Sequence, residues 1–370
     1  FNYAIGLTMT NNKFAKLFNM ERREPENNLL QIHMDMAASI QAATEEIVLK
    51  ITRFLSKEFK SENLCMAGGV ALNCVANGKI LKERLFKNIW IQPASGDAGG
   101  ALGAAQAFYY QELDNKRKIL KTDSMNGSYL GPQFTDDQVE DELKSAGANY
   151  KKLTLDQVIK DTAKALSEEK AVGWFQGRME FGPRSLGNRS ILADSRSEKI
   201  QKNLNLKVKY RESFRPFAPA VLFEKVSEWF EINSESPYML LVADVKKSKQ
   251  LQMTNEQKNL FGIDKLNIKR SNIPSVTHVD YSARIQTVHK ETNPIFHKLI
   301  EEFERITKYP VLVNTSFNVR GEPIVCSATD AFNCFMGTDL DILVCNNFIL
   351  YKDNQNKDLL KDYKNKYELD

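Results

Sequence analysis

An α/β fold is predicted by three features of this sequence: two segments that each read as strand, glycine turn and helix, and a long helix that leads into a buried apolar run. In the first, Asn63-Leu64-Cys65-Met66-Ala67 is a short apolar strand, Gly68-Gly69 the turn, and Val70 to Gly78 the helix. In the second, Ile89-Trp90-Ile91-Gln92-Pro93 is the strand, Gly96-Asp97-Ala98-Gly99-Gly100 the turn, and Ala101 to Tyr110 an alanine-rich helix. The third runs from a helix at Leu155 to Glu169 into Ala171-Val172-Gly173-Trp174-Phe175, a buried strand. A helix that starts at a glycine turn aims free N–H groups at whatever occupies the turn, which makes an anion or nucleotide site. Neither turn matches GxxxxGK[ST] or GxGxxG. Two such turns suggest one ligand cleft at the strand ends. Asp97 lies between glycines, where its carboxylate either reaches a cation or caps the following helix; the residues leave both readings open.

The remaining elements follow from period and punctuation. Between Leu30 and about Lys60, apolar residues from Ile32 to Leu55 recur every three or four positions, as in a long amphipathic helix. His33 at its start lacks a second histidine one turn away, so a helix-terminal polar contact is expected there rather than a metal. Residues from Leu113 to Gly131 are polar and irregular and mark the expected domain boundary. Thr135-Asp136-Asp137 opens a capped helix that runs to Leu143. Lys246 to Arg270 is rich in lysine and glutamine and reads as an exposed insertion. Tyr309 to Val313 is a buried strand, and Gly321-Glu322-Pro323-Ile324-Val325 a turn into another. No internal repeat is present.

With 370 residues, 42% of them hydrophobic and 26% charged, the chain has enough material for two domains. A net charge of +4 does not imply nucleic acid. No apolar run reaches the roughly 18 residues of a membrane span and no secretory leader opens the chain, so a soluble, cytoplasmic protein is expected. The five cysteines, Cys65, Cys74, Cys326, Cys334 and Cys345, lack CxxC spacing and read as core thiols rather than disulfides or zinc ligands. The first residue is Phe1, and Phe1 to Leu7 reads as a strand already under way, so the sequence is expected to start inside a longer protein.

The chemistry concentrates in the second half. Gly177 to Ser190 sets three arginines, Arg178, Arg184 and Arg189, among three glycines, and Lys209-Tyr210-Arg211-Glu212-Ser213-Phe214-Arg215-Pro216 follows soon after. Arginine offers a planar fork of donors, and neighbouring glycines let backbone N–H groups close on the same oxygens, so the pattern suits a phosphate site. A merely solvated basic face would be lysine-rich and free of structural glycine. Arg215 is followed by the stiff Pro216-Phe217-Ala218-Pro219. His278 reads as a structural histidine, Arg284 to Val288 as a strand lining a cleft, and Asn314-Thr315-Ser316-Phe317-Asn318 supplies amides and hydroxyls at a strand end. With no nucleophile–base pair in evidence, these residues suit a reaction driven by positioning and charge neutralisation, such as phosphoryl or nucleotidyl transfer.

Five motifs in order, Ala67 to Asn73, Gly96 to Gly100, Gly182 to Ser190, Phe214 to Pro219 and Asn314 to Asn318, resemble those of the NodU-type O-carbamoyltransferases, over about Phe1 to Lys352. The resemblance implies an actin/hexokinase-like (ASKHA, TsaD-like) domain, here residues 1–125 and only its C-terminal half, followed by a YrdC-like α/β domain at 126–370. It implies that the YrdC-like module makes carbamoyl adenylate from carbamoyl phosphate and ATP, with Mg2+ accompanying the ATP. The TsaD-like module then passes the carbamoyl group to a hydroxyl of a small acceptor such as a sugar or natural product. On the same grounds Arg184, Lys209, Arg215 and Arg284 would be catalytic, and Arg189, Asn314, Ser316 and Asn318 would help hold phosphates and carbamoyl group. Gly68, Gly69, Asn73 and Gly96 would hold nucleotide in the first module, and Asp97 would be a metal ligand, with iron as the implied divalent ion if upstream histidines complete the site. The family's histidine ligands and phosphate turn precede the point where this sequence begins, so activation without efficient transfer is expected of this chain alone. Two other readings share the motifs: synthesis of threonylcarbamoyladenosine in tRNA, and a non-catalytic nucleotide-binding fragment.

Overall fold

The computed structural model describes residues 10–24, 27–120, 122–260, 262–364 and 366–367; the strand expected at Phe1 to Leu7 lies outside them. The chain divides into two compact units, residues 1–47 and residues 48–368. The first holds α1 (Asn12–Leu17), capped by the Asn11 side chain, and the start of α2 (Gln31–Phe59). His33 Nδ1 accepts the Leu30 N–H at 3.0 Å, the helix-terminal contact expected of it.

Among the described residues, the second unit contains two sheets. The smaller pairs β1 (Asn63–Met66) with β2 (Asn88–Ile91) in parallel and carries α3 (Cys74–Glu83) and α4 (Ala98–Ala107). α3 is capped by Asn73, which accepts the Ala76 N–H at 3.1 Å. Gly78 of α3 lies so close to the Val242 carbonyl that a Cβ would collide with it, and Asn77 donates to the Leu240 carbonyl at 3.1 Å. The second glycine turn is shorter than expected: α4 already begins at Ala98.

The larger sheet has nine strands in the order β3-β11-β10-β4-β5-β9-β6-β8-β7. In chain order they are β3 (Lys151–Lys152), β4 (Val172–Phe175), β5 (Arg189–Asp194), β6 (Ala218–Leu222), β7 (Leu241–Asp244), β8 (Ser282–Val288), β9 (Val311–Ser316), β10 (Ile342–Cys345) and β11 (Phe348–Tyr351). The pairs β4–β10 and β6–β8 are parallel and the rest antiparallel, so the fold is mixed α/β. α5 (Asp136–Ser145) and α6 (Leu155–Ser167) both begin with a complete capping box, on Thr135 and Thr154, which accounts for their sharp starts. α6 and α11 (Pro294–Thr307) cover one face, where Val158, Ile159 and Leu166 meet Trp174, Leu192, Phe296 and Leu299. α5 and α12 (Ala328–Met336) cover the other, where Val139 and Leu143 meet Phe175, Ile191, Phe332 and Phe335.

The short helices α7 (Ile200–Asn203), α8 (Val226–Trp229), α9 (Asn255–Lys258) and α10 (Gly262–Leu266) lie in the connections. The excursion from Lys246 to Arg270 is mostly exposed, as expected, and is closed at its base by a bridge between Gln250 and Ser271. Arg270 itself is buried and ties the excursion down by donating to the Leu266 carbonyl at 2.8 Å and the Thr277 carbonyl at 3.2 Å.

Two expectations fail. Gly321 to Val325 does not lead into a strand: Pro323 has no N–H for a ladder, and Ser327 instead caps α12 with a full capping box. Only Cys334 and Cys345 are core thiols; Cys65 and Cys326 are exposed and Cys74 is half-buried.

Gly187 has φ of +108° and faces the Phe296 ring, against which a Cβ would collide. Gly187→Ala is therefore expected to lower unfolding free energy by about 2–4 kcal/mol in urea titration, strain and overpacking combined. An unchanged midpoint would contradict this packing.

Candidate active site

The basic loop is the turn of a wide hairpin. β4 and β5 pair antiparallel with Phe175 opposite Arg189, and residues 176–188 bridge them. Glu180 organises the bridge. Its carboxylate is buried, and Oε1 accepts the N–H groups of Leu186 at 2.6 Å, Asn188 at 2.8 Å and Arg189 at 3.3 Å. Burial pushes the Glu180 carboxyl above its ordinary pKa, while these donors pull against that rise. Three N–H groups of this stretch are thus turned inward on a carboxylate, and the Gly187 N–H goes to Ser190 Oγ, rather than outward on a guest as the sequence-based picture has it. Tyr129 donates to the Leu186 carbonyl at 2.8 Å, and Asn293 at the start of α11 donates to the Tyr129 hydroxyl at 3.0 Å.

The two arginines that the motif sets five residues apart face different environments. Arg189 is fully buried, stacks over Phe175 with its guanidinium carbon 3.5 Å from the ring centroid, and donates to the carbonyls of Gln176 at 2.8 Å and Asn188 at 3.0 Å. Longer contacts reach Gly177 at 3.3 Å and Pro132 at 3.4 Å. Its two terminal nitrogens are engaged by these carbonyls, which makes Arg189 part of the scaffold, while its buried Nε has no hydrogen-bond partner. Arg184 is only partly buried, and its Nε has no hydrogen-bond partner.

Arg284 on β8 stands within the field of Arg184, and burial together with that charge lowers its pKa to about 10. Its Nε is likewise buried without a partner, and the Cys74 thiol at the start of α3 lies beside its side chain. Gly182, with φ of +137°, packs against the backbone of Pro93 and Ala94. The arginine pair therefore sits beside both strand–turn–helix segments of the smaller sheet. Asn314 and Gln286 fix the backbone next to Arg184: Asn314 Nδ2 donates to the Ser185 carbonyl at 3.2 Å and to Gln286 Oε1 at 2.6 Å, and Gln286 Nε2 donates to the Leu186 carbonyl at 2.7 Å. The Ser185 hydroxyl and Asn314 Oδ1 are buried and left over.

Two residues along β9, Ser316 opens a second group. Buried Lys209 donates from Nζ to Ser316 Oγ at 3.0 Å, to Asn318 Oδ1 at 2.7 Å and to the Asn318 carbonyl at 2.9 Å, with the Ser316 carbonyl also in contact. Burial, with the Arg211 charge nearby, lowers its pKa to about 7. Arg215 is held by Glu212 at 3.0 Å, and its carbonyl is anchored by Asn205 at 2.9 Å. The contacts thus form two groups joined along β9, Arg184 with Arg284 and Lys209 with Ser316 and Asn318. His278 is structural as expected: burial lowers its pKa to about 4, and Nδ1 lies 3.0 Å from Ser282 Oγ.

In the smaller sheet, Gly68 and Gly69 are exposed, a Cβ at Gly68, Gly69 or Gly96 would meet nothing within 4 Å, and Asn73 is half-buried at the α3 cap. Asp97 is exposed at the start of α4 and makes no side-chain cap there. Among the described residues it belongs to no cluster of three histidine, cysteine or acidic side chains, so these residues alone do not build a metal centre around it. Glu180, Gln286 and Cys74 do not stand out as site residues in the sequence. A lone acid within an arginine–glycine stretch is the available signal for Glu180; the other two depend on contacts distant in the chain.

Replacing Arg189 by Met keeps apolar contact with Phe175 but leaves several buried carbonyls without donors. A loss of about 3 kcal/mol or more in denaturant unfolding is expected. A change below about 0.5 kcal/mol would return Arg189 to the ligand-holding role the sequence suggested for it.

The family description "Carbamoyltransferase C-terminus" matches residues 163–352, and "Carbamoyltransferase N-terminus" matches residues 1–106. An uncharacterized protein of Synechocystis is 56% identical over 373 residues, covering 100% of this chain and 61% of its own length. Nodulation protein NolO of Bradyrhizobium diazoefficiens is 40% identical over 342 residues, 91% of this chain and 58% of NolO. Nodulation protein U of Rhizobium fredii is 33% identical over 271 residues, 73% of this chain and 40% of that protein. The chain spans about half of the length of the curated relatives it matches. On the residues matched, this chain belongs to the NodU-type carbamoyltransferase family.

Proposed function

We propose that this chain carries the carbamoyl-activating centre of an O-carbamoyltransferase, which joins the carbamoyl group of carbamoyl phosphate to the AMP portion of ATP. One water is consumed: it cleaves carbamoyl phosphate to carbamate and phosphate, a carbamate oxygen displaces pyrophosphate from the α-phosphorus of ATP to give carbamoyl adenylate, and the carbamoyl group then passes to a hydroxyl of a small acceptor with release of AMP. The observation that carries this reading is the pairing of Arg184 with Arg284. Two permanently charged groups held within each other's field, each with an unpaired buried donor, cost free energy in the empty site. A polyphosphate or carbamoyl phosphate offsets that cost. The unpaired Asn314 Oδ1 and Ser185 hydroxyl beside them match the two N–H donors of a carbamoyl amide. Lys209, placed by Ser316 and Asn318, adds a cation whose charge depends on the guest. ATP enters with Mg2+ as a substrate, and the mechanism is positioning plus charge neutralisation, with no covalent intermediate on the protein.

The test is pyrophosphate release that requires both ATP and carbamoyl phosphate, measured on the full-length protein and on this chain. Arg184→Ala and Arg284→Ala are each expected to lower kcat/KM by about 10²–10³-fold. No release from the full-length protein, or full activity in both variants, would reject the mechanism.

A pH dependence follows from Lys209. With its pKa near 7 in the empty site, an anionic guest raises that pKa, so binding draws in a proton. Carbamoyl phosphate affinity should therefore fall as pH rises above 7, by up to about tenfold per unit while the empty-site amine is neutral and the bound one charged. Calorimetry in buffers of different ionisation enthalpy measures the uptake, and Lys209→Met should abolish it.

A further inference from the structure

Among the described residues outside the arginine site, one cluster of side chains has ligand chemistry that the carbamoyl reaction does not use. His297 and Glu301 lie one turn apart on α11, and Glu224 follows β6. One ligand atom from each lies within 4.8 Å of the other two. His297 is 3% exposed, whereas both glutamates are half-exposed. The imidazole Nε2 is 2.9 Å from Glu224 Oε1, and Nδ1 is 3.5 Å from Glu301 Oε2. Nδ1 is buried and makes no hydrogen bond.

A neutral imidazole has one N–H. With Glu224 accepting it at Nε2, Nδ1 turns a lone pair towards the Glu301 carboxylate, and two acceptors face each other across 3.5 Å. Neighbouring cations are engaged elsewhere: Lys225 reaches Glu228 at 3.5 Å and Glu304 at 3.8 Å, and Lys298 pairs with Asp156 at 2.7 Å. Around a tetrahedral zinc ion, with bonds of about 2.0–2.1 Å, adjacent nitrogen and oxygen ligands lie about 3.3 Å apart. The Nδ1 to Glu301 separation is close to that edge. The carboxylate on the opposite ring nitrogen is the usual device that fixes a metal-binding tautomer.

We propose that His297 Nδ1 and the Glu301 carboxylate chelate a divalent ion of the zinc class, with Glu224 orienting the ring and water completing the coordination. The site is separate from Asp97 and rests on no part of the carbamoyl chemistry. It ties α11 to the segment after β6, and the residue beside His297 is Phe296, the ring that supports Gly187 of the arginine loop. Its role is to stiffen the helix behind that loop.

The test is calorimetric titration of the reduced chain with Zn2+, with Cys65 and Cys326 replaced by Ser so that exposed thiols contribute nothing. One bound Zn2+ per chain is expected, together with a rise in Tm on adding zinc. Glu301→Gln, a half-exposed position that should fold normally, is expected to lose both effects, as is His297→Asn. Glu224→Gln should weaken binding by about 10–100-fold, the effect of removing an orienting carboxylate. No zinc heat in the parent, or equal affinity in Glu301→Gln, would overturn the proposal. So would NMR detection of protons on both His297 ring nitrogens at saturating Zn2+, since the ring would then be an imidazolium between two carboxylates.

Discussion

The geometry of the arginine loop depends on one buried carboxylate. A bridge of this length between two paired strands has many backbone N–H groups to satisfy, and glycine at Gly177, Gly182 and Gly187 leaves it conformationally free. Glu180 removes that freedom by gathering three of those donors on one oxygen. Once the backbone is folded inward, the loop's positive charge comes from its side chains, the exposed Arg178 and the partly buried Arg184. On the proposed reading, site and scaffold divide the work: amides hold the loop, and the Arg184 guanidinium would meet the guest.

The same division runs through the surrounding residues. Arg189 commits its terminal nitrogens to carbonyls, and its cost of burial is offset by the Phe175 ring and those acceptors. Arg184 and Arg284 each keep a buried Nε without a hydrogen-bond partner, and their mutual repulsion is what the proposed anionic substrate would relieve. Asn314 serves both ends, since its amide N–H groups fix Ser185 and Gln286 while its oxygen is unpaired. A site held in a tense state by a rigid frame needs little rearrangement on binding, which is the physical content of preorganisation.

Much of this architecture was legible in the amino-acid order. Period alone placed α2 and α6, and threonine before an acidic or amide-bearing first turn placed the start of α5. The apolar runs gave β4 and β9 because buried central strands have no polar face to disguise them. What could not be read was direction. Arg184 and Arg189 belong to one motif, yet Arg189 opens a strand whose register sets it on Phe175, and register is decided by partners distant in the chain. Cys74 meets Arg284 for the same reason, and the strand expected after Pro323 gave way to a capped helix because local capping outweighed a short apolar pair. The family resemblance supplied roles for residues, while the contacts show Arg189 alone of the motif's arginines with its terminal nitrogens stacked on Phe175 and tied to several hairpin carbonyls.

The bridge between Gln250 and Ser271, with Arg270 fastened beneath it, closes the exposed excursion like a drawstring. Length added or removed above that closure leaves β7 and β8 paired, because loop closure entropy changes only slowly with length. This stretch is accordingly where related chains have room to diverge without disturbing Arg284, and where a fluorophore or affinity tag would sit with least disruption.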